Sequence, residues 1–148
     1  MNDLNLKFEE AKHGWLPVHL EVADKKIEFI TSDVPNNPVQ VLINSIWNSL
    51  RGDPSEVWWH LEPDGYFFTF MPEGENVLLE VLYSADSSKN KRESKLIYKG
   101  NLQKTMLTLW RGIKEFVSHD TKEPHWPAID IDDLERLGEK LKYEPVKG

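Results

Sequence analysis

Leu16, Val18, Leu20 and Val22 alternate with Trp15, Pro17, His19 and Glu21, the period of two that marks a strand with one buried face. Ala23-Asp-Lys-Lys26 reads as a turn, and residues 26–31 return with Ile27 and Phe29 on one side, so the first unit is a hairpin. Pro17 has no N–H for a ladder, which places it at an edge or a bulge. Next, Asn37-Pro38 supplies a cap followed by proline in the first turn. Val39, Leu42, Ile43, Ile46, Trp47 and Leu50 then recur at helical spacing up to Gly52.

A second alternating stretch, VWWHLEPDGYFFTF (57–70), sends Val57, Trp59 and Leu61 one way and Trp58, His60 and Glu62 the other. Pro63-Asp64-Gly65 closes a hairpin, and Tyr66, Phe68 and Phe70 alternate on the return. After the turn at 72–76, Val77, Leu79, Val81 and Tyr83 form a further strand. Residues 84–95 (SADSSKNKRESK) are polar and read as a mobile loop, with a short strand at 96–99. Asn101 caps a helix carrying Leu102, Met106, Leu109, Ile113, Phe116 and Val117, and Asp130 caps a last helix with Ile131, Leu134, Leu137 and Leu141. The predicted order is ββαβββ(β)αα, an α+β fold in which helices pack on one face of an antiparallel sheet of about five to six strands. One domain is expected over residues 1–148, with residues 1–13 a flexible N-terminus.

Composition narrows the function. There is no cysteine, which excludes disulfides, thiolate metal sites and cysteine nucleophiles. No secretory signal is expected from the first ten residues and no apolar run reaches the ~20 residues of a membrane span, so a soluble cytoplasmic protein is the expectation. Twenty-five acidic against 18 basic residues give a net charge of -7. Such a surface repels phosphate backbones, which argues against direct nucleic-acid binding, and it steers basic protein partners inward.

Candidate chemistry clusters on alternating strand positions. Trp58, His60 and Glu62 share a face of one strand, and His19 and Glu21 share the outer face of the first hairpin. Aromatic and acidic side chains so placed suit a protein-binding surface, because aromatics bury large area with few rotamers to freeze. Which face of 57–62 is exposed is open at this stage. A metal bridging His60 and Glu62, completed by Asp64 or His19, lacks any supporting motif, as does the loop group His119, Asp120 and His125. Glu62, Glu80 and Glu28 are candidates to face one another as an acid/base set. Nucleophile elbows, phosphate loops and dinucleotide fingerprints are missing, and no cofactor is called for.

Taken together, WLPVHLEV, the Asn-Pro helix, VWWHLEPDGYFFTF with VLLEVLYS, and LWRGIKEF resemble small acidic proteins of uncharacterised bacterial families. Some of those resemble immunity proteins of polymorphic or contact-dependent toxin systems. The resemblance spans residues 15–117 and is one of layout and aromatic pattern. It implies a cytoplasmic antidote that occludes a toxin's active site through an acidic surface. The favoured expectation is thus a non-enzymatic protein-binding module, in its specific form an immunity-type inhibitor of a basic toxin. The alternative is a small enzyme or ligand- or metal-binding protein using His60 and Glu62 at a sheet pocket. A homodimer through the exposed sheet face is a third reading.

Overall fold

The computed structural model describes residues 4–86, 91–119 and 125–143. Its elements run β1 (Leu4–Phe8), β2 (Trp15–Val22), β3 (Lys25–Ser32), α1 (Pro38–Leu50), β4 (Ser55–His60), β5 (Gly65–Glu73), β6 (Asn76–Ser84), β7 (Arg92–Asn101), α2 (Leu102–Ser118) and α3 (Ile131–Tyr143). Every ladder is antiparallel, so the α+β class holds as the sequence predicts. The strands fall into two sheets, β1-β2-β3 and β4-β5-β6-β7, where one was expected. After β3 the chain enters Val34-Pro35-Asn-Asn-Pro38, where prolines remove ladder donors and α1 begins. β3 and β4 still touch: the Thr31 hydroxyl donates to the His60 carbonyl at 3.3 Å.

Two elements differ from the sequence reading. The segment 1–13, expected to be a flexible N-terminus, contains β1, whose Leu4, Leu6 and Phe8 are buried against β2. The expected short strand at 96–99 is the ten-residue β7, paired along β6 with a bulge opposite Val81 and Leu82. Of the expected mobile loop, residues 87–90 lie outside the described residues, while Ser84 and Arg92 to Lys95 belong to β6 and β7.

Inward residues of both sheets meet the helices in one apolar cluster. Leu16, Val18 and Leu20 enter it from β2, Val57 and Trp59 from β4, and Val77, Leu79 and Val81 from β6, each fully buried. Trp59 joins the two sheets, its ring 5.2 Å from Phe68, 5.8 Å from Phe29 and 6.1 Å from Phe8. Asn37 and Asn101 cap α1 and α2 as their positions predict, each side chain accepting a backbone N–H of the first turn. α2 rests closely on β1 at Gly112, where a Cβ would come within 2.6 Å of the Leu6 carbonyl oxygen. α3 is tied to α2 by the Trp110 indole, which donates to the Leu134 carbonyl at 2.8 Å.

Candidate interaction surface

With the helices and the core on the inner sides, each sheet has an outer face, and the residues singled out from the sequence divide between them. On β4, Val57 and Trp59 point into the core, and Trp58 and His60 point outward. Trp58 stacks on Phe67 of β5, with ring centroids 6.0 Å apart and 5° between planes, and meets the His60 ring at 4.4 Å. Phe67 is fully buried although it lies on the outer face. Its cover is completed by Arg92 of β7, whose guanidinium lies 4.0 Å from the Phe67 centroid and pairs with Glu56 at 2.6 Å. Beyond this strap the face opens, leaving Met71 49% and Ile97 62% exposed beside half-buried Leu78 and Leu82.

His60 Nδ1 sits 3.2 Å from the Val34 carbonyl, so that nitrogen carries the proton and donates. Glu62 is exposed in the turn with a φ of 62°, and Asp64 accepts a hydrogen bond from the Tyr83 hydroxyl at 2.6 Å. That bond, which the neutral phenol donates, raises the Tyr83 pKa. Glu62, Glu80 and Glu28 do not face one another as an acid/base set: Glu28 lies on the first sheet, Glu80 on the second and Glu62 in a turn. In the second histidine group, Asp120 lies outside the described residues and His119 is exposed at the end of α2. His125 instead packs its ring 4.8 Å from His13.

The first sheet's outer face is built in rows. Trp15 lies opposite Ser32, Pro17 opposite Ile30, His19 between Lys7 and Glu28, and Glu21 between Asn5 and Lys26. Trp15 and Ile30 are diagonal neighbours, 40% and 53% exposed, and form an apolar pair at this end. The next two rows are charged. The His19 ring bridges two carboxylates, Nδ1 to Glu28 at 2.8 Å and Nε2 to Glu9, which follows β1. Partial burial of the ring would lower its pKa, but the hydrogen bonds to Glu28 and Glu9 and their negative charge outweigh this and raise it above the ordinary histidine value. Both ring nitrogens are thereby engaged. Among the described residues no group of three or more such side chains is arranged to hold a metal ion.

Of the residues proposed from sequence, His19 and Glu21 therefore sit on one sheet, and Trp58 and His60 on the other, with Glu62 just past the end of β4. Sequence reasoning did not bring Glu9, Trp15 and Ile30 to the site. The outward alternation of Trp15 with His19 was the available signal for one of them.

No protein-family model matches the chain, and no curated protein matches it. Among solved structures it is similar to a chain titled "CdiA-CT/CdiI toxin and immunity complex from Enterobacter cloacae". The identity is 10% and the TM-score 0.49, over 78% of this chain and 99% of that one. Among the described residues no helix is long and apolar enough to cross a membrane.

Proposed function

We propose that this chain is a protein-binding module and that the outer face of the three-stranded sheet receives a basic partner. The observation that carries this reading is the pairing of an exposed aromatic-aliphatic end, Trp15 with Ile30, with carboxylates from Glu9, Glu21 and Glu28 on the same face. Covering the apolar end releases water from area worth about 25 cal/mol per Å². The carboxylates accept charge-assisted hydrogen bonds from lysine or arginine and set the orientation and the on-rate. On this face Glu9, Glu21 and Glu28 stand among Lys7, Lys26 and the His19 ring, and the whole chain carries -7. An immunity-type inhibitor that covers a basic toxin is the specific form of this reading.

Capture experiments with three immobilised proteins test it: the wild type, Trp15→Ala, and Ile97→Ser as a control on the other sheet, each checked for native circular dichroism. The expected result is a basic protein held by the wild type and by Ile97→Ser, released at about 0.5 M salt, where screening extends to within ~4 Å, and lost from Trp15→Ala. Equal capture by all three, or loss with Ile97→Ser alone, overturns the assignment of the face.

A further inference from the structure

One imidazole held by a carboxylate on each nitrogen is a device whose state depends on a single proton. The two contacts cross the whole first sheet: Glu9 lies just beyond β1, His19 is on β2 and Glu28 on β3. An imidazolium has two N–H groups and satisfies both carboxylates. Neutral imidazole has one N–H and one lone pair, so the second carboxylate loses its donor and faces a nitrogen lone pair. We propose that Glu9, His19 and Glu28 form a proton-operated clamp that ties the three strands together when protonated and, on losing its proton, releases a carboxylate to the docking face. The proposal rests on the reading of that face as the docking surface for a basic partner.

The charge change follows directly. Two carboxylates and one imidazolium sum to -1, and loss of the proton from a ring nitrogen to solvent leaves -2. Other charged groups surround the clamp. Lys7 lies opposite His19 on β1, Lys26 is diagonal to it on β3, and Glu21 is two residues along β2. Glu9 also borders a hollow of about 310 Å³, to which Lys7, Glu10 and, from α2, Glu115 and His119 contribute. His119 is the other histidine there, and its replacement serves as the control.

For stability the sign is fixed by the raised folded-state value. The clamp's contribution is complete below the ordinary histidine value of 6.5 and is lost as pH rises through the higher folded-state value. For binding the sign is opposite, since the deprotonated face is more negative. A basic partner is therefore held more tightly above the transition than below it.

Three measurements between about pH 5.5 and 8.5 test the clamp: the His19 ring proton shifts by NMR, thermal unfolding, and low-salt binding of a lysine-rich peptide. The wild type should show a histidine titration above the ordinary value, identified by its absence in His19→Gln, and Glu28→Gln should bring that titration down. Thermal stability relative to His19→Gln should fall as pH rises through the same midpoint, with His119→Gln behaving as the wild type. A His19 titration unmoved by Glu28→Gln, or a wild type and His19→Gln that run in parallel across the range, overturns the clamp. Peptide binding that strengthens with pH in the wild type and not in His19→Gln supports its coupling to the docking face. A clamp that titrates as expected while the peptide fails to bind at any pH overturns the coupling and the docking reading, and leaves the clamp itself standing.

Discussion

The outer faces of the two sheets use the same three kinds of side chain, an aromatic, a cation and a carboxylate, and arrange them to opposite effect. On the four-stranded sheet Arg92 closes over Phe67, Trp58 stacks on the same ring, and Glu56 holds the guanidinium in place. The cation there is permanent, and its apolar stem and planar head serve as a lid. On the three-stranded sheet the cation held between acids is His19, while Trp15 and Ile30 stay uncovered nearby. An arginine between aromatic and acid covers that ring at every physiological pH. A histidine between two acids makes a face whose charge is conditional, because histidine alone titrates near neutrality without perturbation.

The largest test of this contrast lies beneath both faces. Trp59→Ala should lower the free energy of unfolding by about 3–5 kcal/mol, since it empties the point where the sheets meet, while Trp15→Ala should stay within about 0.5 kcal/mol. Urea denaturation at fixed pH measures both. A costly Trp15→Ala would mean that this ring is structural and the apolar end is not free to bind.

Arg92→Ala comes next. It should cost about 1 kcal/mol, most of which persists in high salt because uncovering Phe67 matters more than losing a partly exposed ion pair. Complete loss of the effect in salt would reduce the strap to simple charge pairing. His19→Arg should then convert the conditional face into a permanent one, flattening the dependence of stability on pH expected of the wild type above 6.5. Retention of that dependence in His19→Arg would assign it to another group. The smallest effect is expected from Ile30→Ser and Ile97→Ser, each within about 0.5 kcal/mol by thermal or chemical unfolding, as both side chains are more than half exposed.

Much of this layout was legible in the chain. Asn37 and Asn101 sit before helical periods and cap them, and the alternation of 15–22 separates buried Leu16, Val18 and Leu20 from the outer residues correctly. The division into two sheets was not legible, because alternation states that a strand has two faces and says nothing of which strand lies beside it. β1 is only five residues long, and its three apolar positions gain their meaning from pairing with β2. The His19 pairing required the register of the first hairpin. Reading the turn as four residues, 23–26, leaves the register open, whereas the actual two-residue turn, Ala23 and Asp24 with Ala23 at a φ of 56°, places His19 opposite Glu28. Glu9 lies outside any strand, and its approach to His19 depends on the path of the chain after β1. For 57–62, period two defined both faces, and only the core contributed by β1, β3 and the helices decides that Trp59 is inward and Trp58 outward.

The central claim, that the three-stranded face is the docking surface, is tested most directly by mapping ¹H–¹⁵N chemical shifts as the captured basic partner, or a lysine-rich peptide at low salt, is added. The account predicts that the largest changes fall on the Trp15 indole and on the backbone of Leu16, His19, Glu28 and Ile30, with Met71, Leu78 and Ile97 unmoved. Changes centred on Met71, Leu78 and Ile97, with Trp15 and Ile30 silent, would contradict it and assign docking to the other sheet.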